Sequence, residues 1–84
     1  MRLDKWLKVS RLIKRRTVAQ EACDGGRVSV NGKVAKPSAD VKPGDVIEIS
    51  FGSKSLRAEV LFVAETVKKD DAAAMYREVP LPIE

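Results

Sequence analysis

Over the first ten positions the apolar residues recur with helical spacing. At 3.6 residues per turn Leu3, Trp6, Leu7 and the small Ser10 share one face, and Arg2, Lys5, Lys8 and Arg11 take the other. Asp4 precedes Lys8 by four residues, the spacing of a surface ion pair. This predicts a short amphipathic helix, apolar inward and cationic outward. Leu12 would land on the cationic side of a continued helix, so the chain is expected to turn near Ser10-Arg11 and return Leu12 and Ile13 to the core. A second helix is expected to start at Thr17, an N-cap whose partner Gln20, three residues on, completes a capping box. Val18, Ala19, Ala22 and Cys23 then form a narrow stripe of small residues suited to packing on the first helix. Gly25-Gly26 supplies the stop.

Beyond residue 26 the period changes to two. Arg27-Val28-Ser29-Val30 alternates as a strand, Asn31-Gly32 is a strong hairpin turn, and Lys33 to Lys36 returns until Pro37 ends it. Lys42-Pro43-Gly44-Asp45 reads as a turn into a strand at Val46–Ile49. Residues 51–55 read as a loop, and Leu56 to Ala64 as a closing antiparallel strand. Asp70 or Asp71 would cap a last short helix running through Arg77, before Pro80 and Pro82 impose an irregular tail. The expected fold is α+β: two packed N-terminal helices, a small antiparallel sheet and a short C-terminal helix. One domain over residues 1–84 is expected, with its core motif in 2–50, strands and terminal helix in 51–79, and a tail in 80–84.

Composition removes most function classes. Eighty-four residues with 44% hydrophobic content suit one small core, which buries roughly 60–65% of the surface of the unfolded chain. The chain has no histidine and one cysteine. That leaves no Ser-His or Cys-His nucleophile pair, no zinc ligand set and no internal disulfide. Gly25-Gly26 and Gly32-Lys33 lack the spacing of a phosphate loop. No apolar run approaches the length of a membrane span, and no apolar signal core follows Met1. A cytoplasmic, non-enzymatic protein without metal or cofactor is expected, one that does not engage membranes.

Charge supplies the positive evidence. Residues 1–36 carry ten Lys/Arg against three Asp/Glu, whereas residues 37–84 carry six against nine, giving the net +4 of the whole chain. Concentrating cations on the leading elements suits a polyanion partner. The junction Lys14-Arg15-Arg16-Thr17 is the sharpest candidate. Three cations crowd the positive end of a helix, with no acidic residue following until Glu21, and a phosphate would satisfy both. Taken alone, the run suits side chains splayed into water equally well; Arg2, Lys5, Lys8 and Arg11 on the neighbouring helix tip the balance to phosphate. Arg27 and Lys33 bracket the hairpin and could extend the patch, although a charge-protected strand edge explains them nearly as well. Trp6 belongs to the core, and Phe51, Phe62 and Tyr76 are scattered, so the chain lacks the aromatic platform of single-strand binders. The expected partner is folded RNA, read through shape and phosphates. On this reading Arg16→Ala should weaken RNA binding and leave stability intact, because Arg16 lies outside the apolar stripes.

Arg2-Leu3-Asp4-Lys5-Trp6-Leu7, Ser10-Arg11, Lys14-Arg15-Arg16-Thr17-Val18-Ala19, Gly26-Arg27-Val28 and Val30-Asn31-Gly32 together resemble the S-four RNA-binding domain over about residues 2–50. Pseudouridine synthases join this domain to a separate catalytic one, which is not expected here. Lys8 to Thr17, Val41-Lys42-Pro43-Gly44-Asp45 and Lys68-Lys69 to Tyr76 extend the likeness to the short, free-standing RqcP family, relatives of heat-shock protein fifteen. The likeness is not expected to extend to the long basic tail of the latter. The resemblance implies a bacterial quality-control factor on the large ribosomal subunit obstructed by peptidyl-tRNA. It would contact large-subunit rRNA and the tRNA and work with RqcH during alanine tailing, as a monomer. The RNA-contacting positions of the family would carry over to Arg2, Lys5, Arg11, Arg15 and Arg16. Two alternatives stand beside it: a rescue factor like heat-shock protein fifteen, without tailing, and a protein adaptor whose basic face meets an acidic partner.

Overall fold

The computed structural model describes residues 1–79. Two helices, α1 (Leu3–Val9) and α2 (Arg16–Asp24), lead into strands β1 (Val28–Val30), β2 (Lys33–Val34), β3 (Val46–Phe51) and β4 (Lys54–Val60). Helix α3 (Lys69–Ala72) continues as a 3₁₀ turn over Ala73–Met75 and delivers strand β5 (Tyr76–Glu78). The strands form one antiparallel sheet in the order β2-β1-β3-β4-β5. Helices and sheet thus make the anticipated α+β arrangement. The irregular tail expected at 80–84 lies outside the described residues.

The predicted inner face of α1 is buried: Leu3, Trp6 and Leu7 are fully shielded from solvent and Ser10 nearly so. Each large apolar side chain contributes about 1.5–3 kcal/mol by that burial. They meet Ala19, Ala22 and Cys23 of α2 and Val28, Ile47, Ile49, Val60 and Met75 of the sheet and its approach. Trp6 stacks edge-to-face on Tyr76, with ring centroids 6.4 Å apart. Its indole N–H donates to the Phe62 carbonyl at 3.4 Å, which confirms a core role for Trp6. Alternation along β3 turns Ile47 and Ile49 inward and Glu48 outward, where Arg57 meets it at 3.1 Å. Arg77 and Glu59 form a second cross-strand pair at 2.6 Å. Two of the carboxylates that make the second half acidic are therefore neutralised within the sheet.

Local signals set most boundaries. Asn31 and Gly32 both take positive φ, 52° and 86°, as a primed two-residue turn requires. The chain leaves α1 through Arg11 at φ 63° and drops Ile13 into the core, the turn that Leu12 demanded. Thr17, however, is not the N-cap. α2 starts at Arg16, extended Arg15 occupies the cap position, and no side chain caps the helix. Thr17 is exposed within the first turn, and its presumed partner Gln20 is engaged by Asp4. Val18 leaves the predicted stripe with 45% of its surface exposed, because α1 covers only the Ala19–Ala22–Cys23 side.

The C-terminal half departs further from expectation. Residues 51–55 form a tight hairpin, with Phe51 paired to Lys54 and Gly52 at φ 60°. β4 stops at Val60, opposite Tyr76, where β5 begins. Beyond them, the N–H groups of Leu61 and Phe62 turn to the Met75 carbonyl. The terminal helix ends at Ala72 and its N-cap is Lys68, without a side-chain cap from Asp70 or Asp71. Ending the helix there lets Met75 bury and Tyr76–Glu78 pair with β4, which otherwise would present an open edge.

Candidate nucleic-acid interface

The site is built around a buried carboxylate. Asp4 is fully shielded and its Oδ1 accepts the Lys5 N–H at 2.8 Å in the first turn of α1. Three side chains converge on it: Arg2 through Nε and Nη2 at 3.2 and 3.3 Å, Arg16 through Nε at 3.2 Å, and Gln20 through Nε2 at 2.9 Å. The loop behind closes α1 from the other side, as the Leu3 and Asp4 N–H groups donate to the Ala39 and Pro37 carbonyls at 2.8 and 3.1 Å. Burial alone would raise the Asp4 pKa. The bonds from Gln20, Arg16 and Arg2 outweigh it and hold the carboxyl below its ordinary range. Asp4 is thus an ionised hub joining the two helices, rather than the surface partner of Lys8 that its spacing suggested.

This changes the meaning of the cations. Arg2, Lys5 and Arg16 have intramolecular partners, Lys5 pairing with Glu65 across 60 residues. Arg2 and Arg16 still expose 53% and 42% of their side chains, so their outer N–H groups remain available. Lys8, Arg11, Lys14 and Arg15 have no ion-pair partner among the described residues and are exposed. Lys8, Arg11 and Lys14 line one cleft of about 340 Å³ beside Val9, Glu65 and Val67. Arg15, at the cap of α2, follows immediately. The expectation that Arg16→Ala spares stability does not survive, since the variant strips a partner from a buried charge.

Arg11 is strained by design of the turn. An L-residue at φ 63° costs about 1–2 kcal/mol, a position that glycine fills freely. Its N–H closes on the Lys8 carbonyl at 3.1 Å, and its side chain lines the basic cleft. Arg11→Gly should therefore stabilise the fold by about 0.5–1 kcal/mol, after the entropy of an unfolded glycine is subtracted, while lowering RNA affinity. Urea unfolding beside an RNA titration checks the opposite signs; a stability loss contradicts the account.

The remaining candidates lie apart. Arg27 follows the far end of α2, about 13 Å along its axis from the Lys14–Arg16 cluster. It lines a separate hollow with Val18, Glu21 and Phe51. Lys33 sits on edge strand β2. Neither lines the cleft of Lys8, Arg11 and Lys14; a solvated edge explains Lys33 alone, because Arg27 leads into β1, an interior strand of the sheet. Lys36 does share a groove with Arg2, Asp24 and Ser38, a proximity that sequence spacing did not reveal. Cys23 is buried, and burial together with the Asp4 and Asp24 charges pushes its thiol up to about 11. It is a neutral packing residue.

The family model of the S4 domain matches residues 1–47, from α1 into β3. The chain belongs to the S4-domain family. This S4-domain protein is 58% identical over 76 residues to a protein of Bacillus subtilis (strain 168) named RQC P-site tRNA stabilizing factor, covering 90% of this chain and 88% of that one. The protein of the same name from Streptococcus pneumoniae is 59% identical, with 90% and 86% coverage. Among solved structures, trimeric heat shock protein 15 of Vibrio cholerae superposes with a TM-score of 0.86 at 34% identity, over 94% of this chain and 81% of that one. The S-four likeness drawn from the motifs holds, and with it the fold and the kinship with heat-shock protein fifteen.

Proposed function

We propose that this S4-domain protein binds the tRNA in the P site of an obstructed large ribosomal subunit, and holds it against ribosomal RNA during quality control. The observation that carries the reading is the set Lys8, Arg11, Lys14 and Arg15, exposed together without ion-pair partners among the described residues where α1 ends and α2 begins. The relatives named RQC P-site tRNA stabilizing factor support the choice of RNA, since the likeness runs through 90% of the chain. Phosphates dock on the four free cations and on the outer N–H groups of Arg2 and Arg16, which Asp4 holds in register. Thr17 contributes its place in the uncapped first turn of α2, where the helix dipole favours an anion. The protein performs no bond chemistry: it positions tRNA and rRNA by shape and charge, as a monomer, in the cytoplasm, alongside RqcH. Among the described residues no helix is long and apolar enough to cross a membrane.

In a strain lacking this protein, stalled products should lose their C-terminal alanine tails, and the protein should leave large subunits when ribosomes are treated with ribonuclease. Intact tails would favour the tailing-independent role suggested by the likeness to heat shock protein 15. Co-sedimentation that resists ribonuclease would favour a protein adaptor.

A further inference from the structure

We infer that Glu65 is a built-in competitor for RNA phosphate, which lowers the affinity of the basic cleft for RNA that engages only part of it. This rests on the RNA-binding reading above and concerns how selective that site is. Two other carboxylates of the second half are matched within the sheet, Glu48 by Arg57 and Glu59 by Arg77, and Asp40 pairs with the N-terminal ammonium. Glu65 is placed differently. It follows the segment that leaves β4, pairs with Lys5 of α1, and lines the cleft formed by Lys8, Arg11 and Lys14. Its side chain is 76% exposed, so packing does not account for its position.

A carboxylate lining the same cleft as Lys8, Arg11 and Lys14 does what a phosphate oxygen would do. It occupies Lys5 and lowers the positive potential in the cleft. An arriving phosphodiester must displace Glu65 from Lys5 or settle beside a like charge. Backbone that touches one or two cations gains too little to offset that. RNA shaped to reach Lys8, Arg11, Lys14 and Arg15 together gains enough. Glu65 therefore penalises generic RNA more than a matched site.

The test uses the full chain and an arbitrary RNA hairpin titrated over a range of salt. Glu65→Gln should bind about five- to eightfold tighter at roughly 0.1 M salt, with a log–log slope steeper by about 0.7–0.9, the signature of one more phosphate neutralised. Glu65→Asp should return towards the parent, and in a Lys5→Met background the gain from Glu65→Gln should shrink because its cation is gone. Unchanged or weaker binding by Glu65→Gln, beside a parent that binds with normal salt dependence, overturns this inference alone. A parent that binds no RNA overturns the RNA-binding reading and takes the inference with it. A purely structural role for Glu65 would instead lower the melting temperature and leave the slope unchanged.

Discussion

Asp4→Ala should lower the melting temperature by about 10–20 °C. The substitution removes a buried anion on which two guanidiniums, one amide and a backbone N–H converge. Charge-assisted bonds are worth about 1.5–3 kcal/mol each before rehydration. Arg2 and Arg16 are half exposed and regain water, so the net loss is smaller than the sum, about 2–4 kcal/mol. A domain of this size has roughly 4–13 kcal/mol in total, and each kcal/mol moves its melting temperature by about 4–8 °C. Arg16→Ala removes one exposed partner and should cost only about 1 kcal/mol. Acid supplies an independent reading of the same hub. The folded Asp4 carboxyl titrates below its unfolded value of about 3.9. Its contribution is therefore complete above that value and disappears as pH falls through the lower, folded pKa. Urea midpoints should accordingly be flat with respect to this group above about pH 5 and fall below about pH 4, less steeply in Asp4→Asn. A melting temperature for Asp4→Ala within two or three degrees of the parent would remove the hub from the account.

What the sequence disclosed was local. The inner face of α1, the turn forced by Leu12, the Asn31-Gly32 hairpin and the cationic character of residues 2–16 all follow from spacing and charge along a few residues. What it concealed required knowing which segments meet. Asp4 lies 60° round α1 from Leu7, at the flank of the apolar arc rather than opposite it. Its partners Arg16 and Gln20 stand 12 and 16 residues away. Without α2 packed on that flank, the spacing from Asp4 to Lys8 is the more natural pairing. The Thr17 capping box failed for the same reason: Gln20 has two possible partners, and the tertiary one wins. Glu65 reaches Lys5 across 60 residues, and β5 exists because β4 leaves an edge to cover. One signal was available in principle. A carboxylate between apolar Leu3 and Trp6-Leu7 in a chain this basic is a poor candidate for solvent, and a good one for a buried counter-charge.

The fourfold variant Lys8→Ala, Arg11→Ala, Lys14→Ala, Arg15→Ala should bind RNA about a thousandfold more weakly than the parent at roughly 0.1 M salt. Each phosphate contact contributes about 0.7–0.9 to the log–log salt slope, so four contacts remove about 3 from it, and at roughly 0.1 M salt that is about three decades of affinity. Stability should hold, because these four side chains are exposed and none has an ion-pair partner among the described residues. Relief of their mutual repulsion acts in the stabilising direction. Arg2→Ala combined with Arg16→Ala should behave in the reverse sense, losing stability through Asp4 and losing less RNA affinity, since both guanidiniums already spend bonds on that carboxylate. Filter binding over a salt series, paired with thermal melts of the same proteins, separates the two groups. The division of labour between anchoring and contacting cations fails if the fourfold variant stays within tenfold of the parent, or if both sets move affinity and stability together.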